Sequence, residues 1–188
     1  MAQPAIKPLI PVEEYLLGER DGEQRYEFVN GEVFAMTGAS RDHNLVAGNI
    51  FAFLHGRLPD ACRIFMNDMK VRCRMADDER YYYPDVVLAC EENESDPYYC
   101  ENPCLIVEVL SPGTERTDRS EKFFAYRHIP SLMEYVLIVQ DSRRVEVYRR
   151  RTQWDLELYQ GEAVVELECA QARIGLDAVY RHAEPDAQ

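Results

Sequence analysis

The chain has 188 residues, 46% of them apolar, and a formal charge of −13 at pH 7. That length can bury a sizeable core, no segment approaches the roughly 20 apolar residues of a membrane span, and MAQPAIKPLIPVEEY lacks the basic-then-apolar pattern of a signal peptide. One soluble, cytoplasmic domain over residues 1–188 is expected, and its negative field excludes a nucleic-acid partner unless a local basic patch outweighs the average.

In chain order, Pro11 and Gly18 punctuate a short helix. RYEFVNGEVFAM then places Asn30-Gly31 between two runs of strand formers, which predicts a hairpin over residues 25–36. Ser40 can cap the next helix, whose apolar positions Leu45, Val46, Ile50, Phe53 and Leu54 recur at helical spacing to about Leu58. His43 falls in its first turn. CRIFM, MKVRC, YYYPDVVLA and LIVEVL predict a run of neighbouring strands, with the acidic loop EENESDPYYCENP before the last. A helix follows over EKFFAYRHI, with Thr117 or Asp118 as its cap and Pro130 as its stop, and MEYVLIVQ supplies another buried strand. RRVEVYRR, WDLELYQ and AVVELE alternate apolar and polar residues, as an antiparallel meander would.

Six cysteines, at 62, 73, 90, 100, 104 and 169, have no regular spacing, and several lie in apolar runs. They are expected to be reduced, packed thiols, because Cys90, Cys100 and Cys104 lack the second close pair of a structural zinc site. Tyr81, Tyr82 and Tyr83 enter a strand and read as packing rather than as a base-stacking platform. Basic residues cluster at Arg116, Arg119, Lys122 and Arg127, where they could rim a site, and at Arg143, Arg144 and Arg149 to Arg151. Such charges are more often solvated faces.

The chemistry begins with a misfit. Glu108 interrupts the apolar run of CLIVEVLSPGT, and burying a carboxylate costs several kcal/mol unless it is paired or binds a metal. Asp85 follows Pro84 at the start of another apolar run, so two strands each supply one acid. If the strands are neighbours, both acids can converge on a hard cation, Mg2+ or Mn2+, with Asp85 and Glu108 as its ligands. Lys122 lies fourteen positions beyond Glu108 on the following helix. Its bland reading is a surface pair with Asp118, four residues earlier. The alternative turns its ammonium into the acidic pair to position water or stabilise charge on a phosphate.

Together YEFVNGEVFAM, His43, YYPDVVLA, LIVEVLSPGT, DRSEKFFAYRHIPSLMEYVLI and VEVYRR resemble the Uma2-like family (DUF820) of the PD-(D/E)XK nuclease superfamily, over nearly the whole chain. The resemblance implies an α/β, restriction-endonuclease-like core of helix, three strands, helix and strand, flanked here by the N-terminal hairpin and the C-terminal meander. It also implies metal-dependent hydrolysis of phosphodiester bonds. Asp85 matches the aspartate of the signature and Glu108 its second acid, both as metal ligands. Leu110 stands where the strand lysine is expected, and Lys122 matches the lysine that the Uma2-like pattern supplies from the helix. Glu27, Glu32 and His43 match family positions from which one could join the site. A Mg2+-dependent endonuclease acting on DNA, possible as a homodimer, is therefore the leading expectation. Two alternatives stand beside it: a catalytically degenerate binding or assembly module of the same fold, and a hydrolase of a small phosphorylated substrate.

Overall fold

The computed structural model describes residues 9–76, 78–90 and 96–185. Helix α1 (Val12–Asp21) starts after Pro11 but continues through Gly18 to Gly22. Tertiary contacts outweigh the low helix propensity of glycine here. Tyr15 Oη donates to the Tyr26 carbonyl at 2.7 Å, and Glu19 Oε1, one residue beyond the expected stop, accepts the Tyr26 N–H at 3.1 Å.

The hairpin forms as its Asn-Gly pair predicts, with β1 (Tyr26–Val29) antiparallel to β2 (Glu32–Ala35). Asn30 and Gly31 both take positive φ, at 47° and 94°, as this tight turn requires. A Cβ on Gly31 would also come within 2.8 Å of Leu9 Cβ. Helix α2 (Arg41–His55) is capped by Ser40, whose Oγ accepts the His43 N–H at 3.1 Å, and it buries Val46, Ala47, Ile50 and Leu54.

Strands β3 (Arg63–Met66), β4 (Lys70–Met75), β5 (Asp78–Tyr82), β6 (Val86–Ala89), β7 (Tyr99–Cys100) and β8 (Leu105–Leu110) follow. They are not one run of neighbours. YYYPDVVLA is cut between Tyr82 and Val86, because Pro84 has no N–H to give a ladder, and its halves enter different sheets. One sheet has the order β2-β1-β5-β4-β7. Of the acidic loop before β8, residues 91–95 lie outside the described residues.

The chain then forms helix α3 (115–126), made of a first turn Glu115–Thr117, a π-helical stretch Asp118–Lys122 and a last turn Phe123–Tyr126. It begins before the expected caps, Thr117 and Asp118, both of which are helical. Strands β9 (Glu134–Val139), β10 (Arg144–Arg149) and β11 (Leu156–Gln160) come next, and the second sheet has the order β11-β10-β9-β8-β6-β3. Its one parallel pair, β8–β9, is the pair bridged by α3. The meander stops at β11. Strand β12 (Val164–Leu167) instead pairs with β13 (Ala172–Gly175) in a separate two-stranded sheet, followed by α4 (Leu176–Val179).

The six-stranded sheet is covered on both faces. Leu105, Val107 and Val109 of β8 pack with α2, α4 and the small sheet, while Ile106 and Leu110 pack with α3 and the other large sheet. Glu108 has the parity of the second set. Tyr81, Tyr82 and Tyr83 are buried, as a packing role requires.

The cysteines depart from expectation. Cys73 and Cys100 are buried and stand outside any disulfide among the described residues, but Cys62 is linked to Cys90 and Cys104 to Cys169. The pairing Arg63↔Ala89 puts Cys62 opposite Cys90, a long-range register that spacing does not reveal. Among the described residues no helix is long and apolar enough to cross a membrane.

Candidate active site

Strand register places the two acids together. The antiparallel pairing Val86↔Val107 continues one step to set Asp85 opposite Glu108, and both share the face covered by α3. Asp85 occupies the Pro84 break, where its Oδ2 accepts the Val109 N–H at 2.7 Å and lies 3.3 Å from His43 Nε2. The cap at Ser40 holds the first turn of α2, and with it His43, against this acid.

Lys122 reaches the acids from α3. Its Nζ is 3.0 Å from Glu27 Oε1, 3.2 Å from Glu108 Oε1 and 3.2 Å from Asp118 Oδ1. The π-helical stretch carries both Asp118 and Lys122 inward while Arg119 and Glu121 remain more exposed, a local irregularity common at functional sites. Tyr126, one turn on, donates to Glu108 Oε1 at 3.1 Å. Glu27 also accepts the Tyr83 N–H at 3.3 Å, which ties β1 of the first sheet to the acids of the second.

Glu108, Asp118 and Lys122 are 3%, 1% and 5% exposed, so their charges interact with little screening by solvent. Burial pushes the Glu108 carboxyl well above its usual range, with Lys122 opposing and Asp118, Asp85 and Glu27 adding to the rise. For Lys122 burial acts against the ammonium, but Glu108, Glu27 and Asp118 outweigh it and hold its pKa well above the ordinary value. The same crowding thus favours the charged form of Lys122 and opposes that of Glu108. Burial likewise disfavours a charged His43, yet the hydrogen bond and charge of Asp85 more than offset it and raise the imidazole pKa.

These groups open onto a cleft of about 720 Å3, lined among others by Glu27, His43, Asp85, Glu108, Asp118 and Lys122. Five carboxylates, with Glu121, face Lys122, Arg116 and the His43 imidazole, an excess of negative charge suited to a hard cation. Asp118 Oδ1 is buried without a hydrogen bond despite its closeness to Lys122. Among the described residues no three acid or histidine ligand atoms lie within 4.8 Å of one another, so the carboxylates form an open set rather than a closed cage. Mg2+ is commonly held this way, by one or two carboxylates with water and phosphate completing its shell.

Of the candidates read from sequence, Asp85, Glu108, Lys122, Glu27 and His43 line this cleft and Glu32 does not. Glu32 is exposed at the hairpin turn, where it pairs with Val29. Asp118 is no surface partner of Lys122 but a buried wall of the site, and its spacing of four residues from Lys122 was the available signal. Tyr126 carried no local signal, since only the crossover of α3 brings it to β8.

The expected basic rim is largely absent. Arg116 lines the cleft, but Arg119 is engaged by Glu115 and Glu146 and Arg127 lies over the rings of Phe123 and Phe124. In the second basic group Arg149 is buried and Arg150 donates to the carbonyls of Leu132, Arg127 and Ile129. Those two arginines are structural rather than solvated.

The family model Uma2, described as "Putative restriction endonuclease", matches residues 12–178. Two proteins of Synechocystis sp. are similar: one is 30% identical over 178 residues, covering 93% of each chain. The other is 37% identical over 164 residues, covering 84% of this chain and 92% of its own. The crystal structure of a "putative nuclease belonging to DUF820" from Anabaena variabilis superposes with a TM-score of 0.71 at 19% identity, covering 91% of this chain and 97% of that one. The likeness in shape identifies the α/β, restriction-endonuclease-like fold: α2, then β3, β6 and β8, then α3 and β9.

Proposed function

Since this chain belongs to the Uma2 family, we propose that it is a nuclease that hydrolyses phosphodiester bonds of DNA with the help of Mg2+ or Mn2+ at the cleft. The observation that carries this reading is the convergence of Asp85, Glu108 and Lys122, from three separate elements, on one cleft. Asp85 and Glu108 would hold the cation, with Asp118 Oδ1 as the nearby oxygen that lacks a hydrogen bond. A bound cation of this class lowers the pKa of water and polarises the scissile phosphate.

The chain's own groups divide the remaining work. His43 Nε2, at 3.3 Å from Asp85, is placed to take a proton from the attacking water or to return one to the leaving oxygen. Lys122 keeps its ammonium beside Glu108 and supplies fixed positive charge for the phosphate as negative charge develops on it. Glu27 and Asp118 hold that ammonium in place. The N-terminal turn of α2, through Ser40, His43 and Asn44, lines the same cleft, and its partial positive charge favours an anionic substrate. With Arg116, it offers local attraction against the overall charge of −13.

Cleavage of DNA at low salt with Mg2+ and with Mn2+ tests the proposal. Asp85→Ala and Lys122→Ala should each lower the rate by about 10²–10³, as expected for removing a group that acts on transition-state charge. Cleavage that persists in both variants would remove the assignment. Cation binding at Asp85 without cleavage would favour the degenerate binding module.

A further inference from the structure

Four of the six cysteines converge far from the acidic cleft. Cys62 precedes β3, Cys90 follows β6 and Cys104 precedes β8, so three adjacent strands of the six-stranded sheet present sulfur at one end. Cys90 lies five residues along the chain from Asp85, about 16 Å of strand. Cys169 arrives from the turn between β12 and β13, where its N–H donates to Glu134 Oε2 at 3.0 Å. Among the described residues, Cys90, Cys104 and Cys169 are the one group of three possible metal ligands whose ligand atoms all lie within 4.8 Å of one another. Cys62, linked to Cys90, adds the fourth sulfur.

The spacing suits a tetrathiolate. With Zn–S bonds of about 2.3 Å, a tetrahedral site has S···S edges of about 3.8 Å. The Sγ atoms of Cys90 and Cys104, which are not linked to each other, are 3.8 Å apart. The Cα atoms of Cys62 and Cys90 are 3.9 Å apart, closer than the 4.4–6.8 Å usual across a disulfide. Four sulfurs would fill the tetrahedral shell of a closed structural site, with no ligand position left for catalysis, and here the fold rather than a close sequence pair brings them together.

We propose that these four cysteines, when reduced, hold one Zn2+ as a tetrathiolate that fastens the β12–β13 sheet to the end of the large sheet. The linked and metal-bound forms interconvert in balanced steps. A dithiol reductant gives two electrons and two protons to each disulfide and becomes a disulfide itself, leaving four thiols. Zn2+ then replaces four protons on sulfur. The site is independent of the acidic cleft, because its donors are soft sulfur rather than carboxylate oxygen.

The full chain, reduced with a dithiol and stripped of metal, should take up one equivalent of Co2+ with strong sulfur-to-cobalt charge transfer and tetrahedral d–d bands. One equivalent of Zn2+ should abolish both. Cys104→Ser and Cys169→Ser should each lower the charge-transfer intensity by about a quarter or more, since one of the four Co–S bonds is lost, while Cys100→Ser and Asp85→Asn keep it in full. Native mass spectrometry of the unsubstituted chain gives a reading independent of how the variants fold: one zinc per reduced chain is expected. A reduced chain that shows no charge-transfer band and carries no zinc would overturn the proposal. So would four cysteines that stay disulfide-bonded under the reductant, or a band of undiminished intensity in Cys104→Ser. Failure here leaves the nuclease reading untouched, since oxygen-bound Co2+ at Asp85 gives no thiolate charge transfer.

Discussion

Lys122 and Arg149 are both buried cations with three carboxylates within 3.4 Å, yet their surroundings differ in kind. Arg149 donates from all three of its guanidinium nitrogens. Its Nε donates to Glu134 at 3.0 Å, its Nη1 to Glu157, and its Nη2 to the Glu166 carbonyl at 2.5 Å. Glu134 is completed in turn by the Cys169 N–H. The Lys122 ammonium is a compact charge at the wall of a cleft, and it leaves Asp118 Oδ1 without a hydrogen bond and the Glu108 carboxyl pushed upward. Crowding marks both sets, since Glu157 Oε1 is also buried without a hydrogen bond and burial also raises Glu134. The difference is that Arg151 gives the Arg149 set a second cation, whereas the Lys122 set opens on a cleft where a further cation can enter.

The largest expected effect breaks the closed cluster. Arg149→Met leaves Glu134, which is 0% exposed, without its cation and should cost about 3–5 kcal/mol in urea unfolding. Cleavage per folded molecule should be unchanged. A loss below about 1 kcal/mol would mean that Glu134 takes a proton at little cost, and the contrast would lose one of its sides.

The open cluster should respond to metal where the closed one does not. Mg2+ at about 100 times its dissociation constant should raise the unfolding free energy by about 2.7 kcal/mol. Asp85→Asn should abolish that increment, and Arg149→Met should retain it in full. An increment unchanged by Asp85→Asn would move cation binding elsewhere in the chain.

Much of this contrast was hidden in the sequence for a physical reason. Asp85 and Glu108 were legible because each is a carboxylate inside an apolar run, and burial makes such a letter costly. The hairpin was legible because Asn30 and Gly31 favour positive φ locally. Arg149 looked like one of several exposed basic residues, since its three acids come from β9, β11 and the turn after β12, which only register assembles. The division of the strands into two sheets and the meeting of the cysteines have the same origin. Asp118 was visible as a partner of Lys122, but its burial depends on the π-helical stretch, for which DRSEK gives no local cue.

The smallest effects sharpen the comparison, because one chemical change can be made in both places. Tyr126 Oη donates to Glu108 Oε1 at 3.1 Å, while its ring packs near Tyr82 and Tyr135. Tyr126→Phe keeps the ring and removes the donor, which should cost about 1 kcal/mol of stability. The rate of cleavage should fall by about fivefold, since Glu108 retains Lys122 but loses its second donor. Tyr159 accepts from Arg149 at 3.5 Å and donates to Glu157 Oε2 at 3.1 Å, but that carboxylate keeps Arg149 and Arg151 when the hydroxyl is removed, and Tyr159 is only half-buried. Tyr159→Phe should therefore change stability by less than about 0.5 kcal/mol and leave the rate alone. If Tyr159→Phe costs more than Tyr126→Phe, the Arg149 cluster is not saturated, and the distinction between a sealed and a receptive set of charges has to be redrawn.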